Sequence, residues 1–458
     1  MSRIDFRGYE VSSATPAALE AFERALAAFQ SWRNGAPDHV ARALQEAPAF
    51  LMAHLLRAYL CLCSRDPAQV RSARPILTRA MRLPANARER LHLAAIAAVL
   101  ADDYGRAKAL LGDLLQQQPR DVLALQVAHA FDYVTGDVAR MGDRVPGVLP
   151  AWSSDMPGYH AVLAMYAFGL EECGDYERAE EFGHRALALE PFDARAHHVL
   201  AHVYEMTARA DIGLHWMYQR VGYWATDTVV ATHCWWHLAL FHLAQGQVER
   251  ALSLYDQHVR AGRSLEVADK IDAAALLWRI ELQGGDAGAR WNEIASAWAP
   301  HIADGFCTFN DLHAMIAFVD ARAWNLARRL ERELARRQSG HTRHGETTRR
   351  VGLPASRALI AFGHGDYTSA ISLLVGLPAL AHRIGGSHAQ RDVLYLTLLQ
   401  AVEQDRQPAS RLRARAFRKP FRPAQSALFL RRAPACATHA ADPPLPQPCR
   451  LARLSRFG

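Results

Sequence analysis

Residues 160–191 read HAVLAMYAFGLEECGDYERAEEFGHRALALEP, and this stretch indicates the fold of the whole chain. An apolar run containing Ala167 leads to a turn at Gly174, and a second run ends at Pro191. The next unit begins shortly afterwards, at Ala194. Two helices approach closely only where small side chains leave room, and a sharp turn favours glycine. The stretch therefore predicts a pair of antiparallel helices.

The same pattern recurs along the chain at intervals that lengthen towards the end. Similar units begin near residues 88, 122, 194 and 232, and fainter copies begin near 271, 308 and 351. The spacing and the small residues resemble the tetratricopeptide repeat, a helix–turn–helix unit that stacks on its neighbours. We therefore predict an all-α, superhelical solenoid of tetratricopeptide-like repeats, each burying its apolar stripe on the next.

The pattern divides the chain into three parts. Residues 1–87 read as degenerate helical pairs, residues 88–404 as the repeat array, and residues 405–458 as an Arg/Pro-rich tail. The tail holds 8 of the 22 prolines and does not continue the helical pattern. It is a disordered tail, the out-of-frame ending of a GC-rich gene, or a basic interaction arm, and its composition fits the first two best.

The charge of the chain is concentrated in that tail. The whole chain carries a net charge of +7, but residues 405–458 alone contribute 11 arginines and Lys419 against Asp405 and Asp442. This local balance of +10 leaves the first 404 residues at −3. Proteins that bind nucleic acid usually present a basic face. We therefore expect no nucleic-acid binding beyond non-specific contacts of the tail.

Residues 336–350 form a second basic segment, which is polar and contains glycine. Cations at the end of a helix suit the helix dipole, so a solvated loop explains the composition. A phosphate-binding role is the alternative, although no glycine-rich phosphate loop accompanies the segment.

Several features predict a cytoplasmic protein without a membrane span. No apolar run approaches the ~20 residues that a bilayer requires, and the first residues lack the apolar core of a secretory signal. The seven cysteines form no CxxC pair, which is typical of reduced thiols.

Histidines concentrate in the first helices of the middle repeats, which line the concave face in this class of solenoid. His198 and His202 are four residues apart, as are His233 and His237, with Trp236 between the second pair. Residues at this spacing share a helical face, so two adjacent helices can bring them together. Polar residues also occur in comparable first-helix stretches of other repeats: Glu171, Glu172, Glu205, Asp272, Asp311, His313, His388 and Arg391.

The histidines allow two chemical interpretations. A histidine pair at i and i+4 can chelate zinc or another divalent metal, with a carboxylate completing a catalytic set. Alternatively, the histidines hydrogen-bond between helices or face water, because an unpaired buried polar group costs about 1–3 kcal/mol. The segment from His198 to His202 reads HVLAH rather than HExxH, and no GxSxG motif occurs.

These residues also carry a family resemblance. The matching segments are AHHVLAHVYEM (196–206), HCWWHLALFHL (233–243), LYD (254–256), LWR (277–279), FNDLH (309–313) and GGSHAQRD (385–392). In this combination the chain resembles the tetratricopeptide repeat protein 38 family over roughly residues 5–403. The resemblance implies a cytoplasmic helical-repeat protein and brings no established reaction with it. Residues from 405 onward depart from the helical ending that the family implies.

Three functional hypotheses follow. The first is a binding or scaffold protein whose concave groove holds a polar peptide, a protein segment or a small metabolite. The predicted groove residues are His198, His202, His233, Trp236, His237, His313, His388 and Arg391. The second is a metal-assisted hydrolase or other acid–base enzyme, with metal ligands drawn from His198, His202, His233 and His237. Its catalytic candidates are Glu171, Glu205, Asp311 and His313. The third is a structural spacer without a ligand.

Overall fold

The computed structural model describes residues 3–407, so the predicted tail lies almost wholly outside the described residues. The described part is all-α apart from a short antiparallel ribbon of β1 (Arg3–Ile4) and β2 (Glu10–Val11). Within residues 3–407 no helix has the length and apolar character needed to cross a bilayer. The cytoplasmic location stays a prediction.

The helices follow one another with short connections. In chain order they are α1 (Pro16–Gln30), α2 (Ala36–Glu46), α3 (Leu51–Leu62), α4 (Pro67–Ala80), α5 (Ala87–Leu100), α6 (Tyr104–Gln117), α7 (Val122–Thr135), α8 (Val138–Arg144), α9 (Tyr159–Glu172), α10 (Tyr176–Leu189), α11 (Ala194–Met206), α12 (Ala210–Gln219), α13 (Val221–Trp224), α14 (Ala231–Ala244), α15 (Val248–Leu254), α16 (Val267–Leu282), α17 (Arg290–Trp298), α18 (Thr308–Asp320), α19 (Trp324–Arg337), α20 (Arg343–Thr347), α21 (Leu353–Gly363), α22 (Tyr367–Leu374), α23 (His388–Arg391) and α24 (Val393–Gln404). Short 3-10 or π segments occupy Leu149–Ala151, Tyr255–Val259, Ala299–Ala303, Thr348–Gly352 and Pro378–Ile384.

Most of these helices pair as antiparallel hairpins, as the repeat pattern predicts. Helices α5, α7, α9, α11, α14 and α18 begin within one residue of the predicted repeat starts, and α16 and α21 begin within four. The all-α repeat fold is thus confirmed.

Burial separates an inner row of helices from an outer row. Every residue of α11 is buried, whereas α10 buries only Ala179, Phe182, Gly183 and Ala186. The spacing of three and four residues in α10 is that of a helix with one face on the core. The first helix of each middle hairpin is therefore packed on all sides, and the second forms the outer surface.

An aspartate at the start of an inner helix links it to the preceding repeat. Asp121 caps α7 by accepting from the amide of Ala124, and it also accepts from Arg88 Nε at 2.6 Å. Asp193 caps α11 in the same way and contacts His160 Nδ1 at 2.7 Å. One carboxylate therefore satisfies both a helix terminus and a side chain of the previous unit.

The array curls back on itself. Asn310 Nδ2 donates to the carbonyl oxygen of Arg65 at 3.0 Å, and the amide of Arg343 donates to Asp102 Oδ2 at 3.0 Å. The guanidinium of Arg65 lies 4.6 Å from the centre of the Phe309 ring. We call this contact between residues 65–104 and residues 303–344 the seam. It brings early and late hairpins together.

Residues 378–391 cover part of the inner face, and we call them the inner segment. Tyr133 donates its hydroxyl hydrogen to Gln390 Oε1 at 2.8 Å, near the end of α7. Gly136, which ends α7, has a φ of +67°, and a Cβ built there would lie 1.7 Å from the carbonyl oxygen of His382. The backbone of the inner segment therefore approaches α7 more closely than any side chain would allow.

We expect Gly136→Ala to lower the free energy of unfolding by about 2–5 kcal/mol. The left-handed backbone costs an alanine about 1–2 kcal/mol, and forcing the inner segment away costs about 1–3 kcal/mol more. The matched control is Gly174→Ala, because Gly174 has a φ of +85° and no atom within 4 Å of its built Cβ. Urea unfolding measures both variants. Equal losses in the two would show that the contact with His382 contributes nothing.

Candidate metal centre

Two neighbouring inner helices each present a histidine pair. His198 and His202 lie one turn apart on α11, and His233 and His237 lie one turn apart on α14. Residues four apart share a helical face, and α11 packs against α14. The two pairs therefore face each other across the contact between the repeats.

The four imidazoles form one compact cluster, which we call the histidine cluster. One ring nitrogen from each lies within 4.8 Å of those of the other three. Nε2 of His198 and Nε2 of His202 are 2.9 Å apart. The ring centres of His202 and His237 are 4.5 Å apart, and those of His198 and His233 are 4.9 Å apart.

Carboxylates lie near Nδ1 of three of these rings and accept a hydrogen bond from two of them. Asp272 of α16 accepts from His233 Nδ1 at 2.9 Å. Glu205 of α11 accepts from His237 Nδ1 at 2.9 Å. Glu171, at the end of α9, lies 3.8 Å from Nδ1 of His202. A carboxylate on Nδ1 fixes the tautomer and leaves Nε2 with its lone pair pointing the other way, which is the usual arrangement behind a metal-bound histidine.

Burial keeps two members of the cluster, His198 and His237, neutral. His202 and His237 are fully buried and His198 nearly so, while the side chain of His233 is 17% exposed. Burial lowers the pKa of His198 and of His237 well below the usual 6.5, and charge on neighbouring histidines acts in the same direction. A neutral imidazole is the form that coordinates a metal.

Aromatic rings enclose the histidine cluster. Phe168 of α9 lies 5.6 Å from the His202 ring, and Trp236 stacks on His233 at 5.2 Å. Trp32, in the loop after α1, lies 5.3 Å from the His198 ring. These rings surround the buried histidines, and the partly exposed His233 is the most accessible member of the cluster.

Asp311 and His313, two of the predicted catalytic residues, lie apart from the histidine cluster and from each other. Asp311 Oδ2 contacts His344 Nε2 at 2.7 Å, one repeat further along the chain. His313 is buried and donates from Nδ1 to the carbonyl oxygen of Phe309 at 2.8 Å. Residues two apart on a helix point in different directions, so the structure does not bring this pair into one site.

Arg391 and His388 belong to the inner segment and meet Glu172 rather than the histidine cluster. Arg391 Nη2 donates to Glu172 Oε2 at 2.8 Å, and the amide of His388 donates to Glu172 Oε1 at 2.8 Å. Arg391, which was predicted to line the groove, is thus already paired with a carboxylate of the chain itself. Glu171, the neighbour of Glu172, also lies near His202. One carboxylate oxygen each from Glu171 and Glu172 and one ring nitrogen of His388 lie within 4.8 Å of one another, so these three residues form a second group of potential metal ligands.

A small cavity lies beside the cluster. It has a volume of about 70 Å³, and its lining includes Glu205, Arg279, Gln283 and Asp392. Arg279 also donates to Asp392. A cavity of this size holds water or a very small polar molecule and not an extended peptide.

Three residues of the site were not predicted from the sequence: Trp32, Phe168 and Arg279. Phe168 could have been predicted, because it lies on the first helix of the preceding repeat, where that helix packs against His202. Trp32 had none, since it reaches the site from a loop near the start of the chain. Arg279 lies 5.2 Å from the Trp236 ring, and its segment contributed only to the family resemblance.

Two buried histidines outside the cluster make stability depend on pH. Burial lowers the pKa of His129 and of His313 from 6.5 to about 3. Between about pH 6.5 and 3 the unfolded chain therefore binds more protons than the folded one, so stability is full above this range and is lost as pH falls through it. We expect His129→Gln to reduce the slope of unfolding free energy between pH 6 and 5 by about 1 kcal/mol per pH unit.

Urea unfolding at several pH values measures that slope. His341→Gln is the matched control, because His341 is exposed. An unchanged slope in the His129 variant would contradict the prediction.

Comparison with known proteins finds solved structures that match at low sequence identity. No family model matches the chain. Among solved structures, a hetero-tetramer of the APC/C proteins Cut9 and Hcn1 is similar at 12% identity, with 83% of this chain and 76% of that chain covered and a TM-score of 0.37. Human IFIT1 as a dimer with m7Gppp-AAAA is similar at 13% identity, covering 84% and 85%, with a TM-score of 0.40. A monomeric mutant of IFIT1 with Gppp-AAAA is similar at 12% identity, covering 88% and 96%, with a TM-score of 0.41. At this level of similarity none of them assigns a ligand or partner, and the resemblance to the tetratricopeptide repeat protein 38 family stays a prediction.

Proposed function

We propose that this helical-repeat protein binds one divalent transition-metal ion between α11 and α14, through His198, His202, His233 and His237. One observation carries the proposal: one ring nitrogen from each of four histidines lies within 4.8 Å of the others, two of the rings donate from Nδ1 to a carboxylate, and a third has a carboxylate 3.8 Å from its Nδ1. Structural packing alone does not require neutral histidines to face one another.

The ligand set favours particular metals. Imidazole nitrogen suits zinc, copper, nickel and iron, whereas magnesium and calcium prefer oxygen. Zinc binds histidine nitrogen at about 2.0–2.1 Å in a tetrahedral arrangement. The burial of the site and the negative charge of Glu205 and Asp272 behind it favour a cation over a neutral ligand.

The geometry favours holding a metal over hydrolysis with a metal-bound water. Catalytic zinc sites usually keep three protein ligands and one open position, whereas four histidines converge here. Glu205 lies on the Nδ1 side of His237, and Glu171 on the Nδ1 side of His202, away from the nitrogens left for the metal. These carboxylates are placed to orient the ligands. A hydrolase is therefore the second candidate, and His233 is the ligand whose release would open a position.

A polar peptide or metabolite in the concave groove remains the alternative. The inner segment covers the end of α9, and the predicted groove residues are buried apart from the partly exposed His233 and His388. An extended peptide would have to displace the inner segment, while a very small polar ligand fits the cavity beside Glu205 and Arg279.

Metal analysis of untagged, purified protein tests the proposal. We expect about one transition-metal ion per chain by inductively coupled plasma mass spectrometry, or saturable uptake of Zn²⁺ or Ni²⁺ after chelation. Cobalt substitution then reports the ligands, because histidine coordination lacks the thiolate absorption that cysteine ligands would give. Protein that neither contains a metal nor takes one up at micromolar concentration would refute the proposal.

A further inference from the structure

A second candidate site lies at the seam, and its charged side chains are mainly arginines rather than histidines. Between α4, the end of α5 and residues 304–344 there is a crevice of about 480 Å³. We call it the seam crevice. Small-molecule sites commonly have volumes of about 300–1,000 Å³. The crevice therefore has the size of a metabolite site, which the cavity beside the histidine cluster does not.

The walls of the seam crevice carry four guanidinium groups, those of Arg71, Arg74, Arg336 and Arg337. Arg71 and Arg74 are exposed on α4, and neither has an ion-pair partner within the described residues. Arg74 makes one neutral contact, donating to the carbonyl oxygen of Leu100 at 2.9 Å. Two cations on one helix without counter-charges are electrostatically unfavourable, and an anion between them would relieve this.

The opposite wall also carries hydrogen-bond donors that could bind an anion. Arg336 and Arg337 share one carboxylate, that of Glu333. Nε of Arg337 is buried and has no hydrogen-bond partner among the described residues. The hydroxyl group of Thr342 also lines this wall and is a further donor, because it accepts from the amide of Gly345 and keeps its own hydrogen, whereas the hydroxyl group of Ser339 donates to the carbonyl oxygen of Arg336. Arginine binds phosphate oxygens through paired N–H groups, so this donor set suits a phosphate better than a neutral ligand.

The acidic residues of the crevice are already engaged by the protein. Asp102 accepts from the amide of Arg343 at 3.0 Å, and Asp304 contacts His301 Nδ1 at 2.8 Å. The four guanidinium groups outnumber these two carboxylates, so the net charge of the crevice lining is positive. Apolar side chains of Val70, Val99 and Phe306 also line it, which gives the organic part of a ligand a surface to pack on.

We propose that the seam crevice binds a phosphorylated small molecule, with the phosphate held between the arginines of α4 and those at the end of α19. Such a ligand joins an early and a late part of the chain. It therefore stabilises the curled form of the array, because a ligand that binds only the folded state raises its stability. This site is independent of the metal proposal.

Pyrophosphate and ADP serve as probes, by isothermal titration calorimetry at 150 mM NaCl and by thermal melting. We expect saturable binding of at least one probe and a higher melting temperature. Arg71→Gln with Arg74→Gln should weaken that binding at least tenfold and leave the melting temperature of the free protein nearly unchanged. The matched control is Arg24→Gln with Arg42→Gln, which removes the same charge from exposed pairs and keeps the basic tail.

Three outcomes would overturn the proposal. One is the absence of saturable binding of either probe. Another is equal weakening in the control variant, which would assign binding to overall charge. The third is that a single-stranded RNA decamer binds more tightly than ADP and loses affinity in the Arg71 and Arg74 variant, which would assign the crevice to nucleic acid.

Discussion

A chain carrying His202→Ala together with His237→Ala is expected to lose at least a hundredfold in affinity for Zn²⁺ or Ni²⁺. The double variant removes one ligand from each helix and leaves only His198 and His233, on different helices. Two imidazoles without a shared helical face cannot chelate the ion as the i, i+4 pairs do. Competition with a chromophoric chelator measures the loss.

Variants behind the ligands separate a metal site from a simple loss of packing. Asp272→Asn and Glu205→Gln keep the shape of the side chain and remove the negative charge, and we expect each to weaken metal binding about 10–100-fold. His197→Ala is the matched control, because His197 is buried on α11 but its Nε2 contacts the carbonyl oxygen of Pro191. Metal uptake that persists in the double variant would place the ion elsewhere in the chain.

Replacing Glu172 by glutamine should destabilise the protein by about 3–5 kcal/mol, the usual cost of leaving a buried charge uncompensated. Glu172 and Arg391 form a buried ion pair that holds the inner segment on the end of α9. The variant leaves the guanidinium of Arg391 buried without its counter-charge. Urea unfolding gives the loss, and limited proteolysis shows whether residues 378–391 become accessible.

Two comparisons sharpen that experiment. Glu20→Gln breaks an exposed pair with Arg24, and a surface pair of this kind contributes about 0–1 kcal/mol. The double variant Glu172→Leu with Arg391→Leu removes both charges and should be more stable than the single variant. A loss in Glu172→Gln no larger than that in Glu20→Gln would mean that the pair does not hold the inner segment.

The sequence was sufficient to predict the helices because each repeat encodes its own packing. The positions of Ala167 and Gly174 specify where two helices approach and where the chain turns, and α9 begins one residue from the predicted start. The histidine pairs were predictable for the same reason, since spacing within a helix and the step to the next helix are local properties. The contact between Asp272 and His233 was predictable as well, because Asp272 lies one repeat after His233, on the neighbouring inner helix.

Long-range geometry was beyond the sequence. Whether the array curls back far enough for Asn310 to meet Arg65 depends on small rotations that accumulate over many repeats. The same rotations decide that Arg391 reaches Glu172, on a helix much earlier in the chain. The pattern of a single repeat predicts that His313 and His388 lie on the concave side. It does not predict which residues they contact there.

The seam changes how the array comes apart. In a linear stack of repeats, a terminal hairpin can fray after breaking one interface, so stability falls off towards the ends. Here the hairpin of α3 and α4, which already packs on α2 and α5, has a further neighbour in residues 303–310, held through Arg65. Fraying that reaches this hairpin must also break the seam, so local opening becomes coupled to loss of the whole superhelical turn. The curl thus converts a chain of loosely independent modules into one cooperative unit.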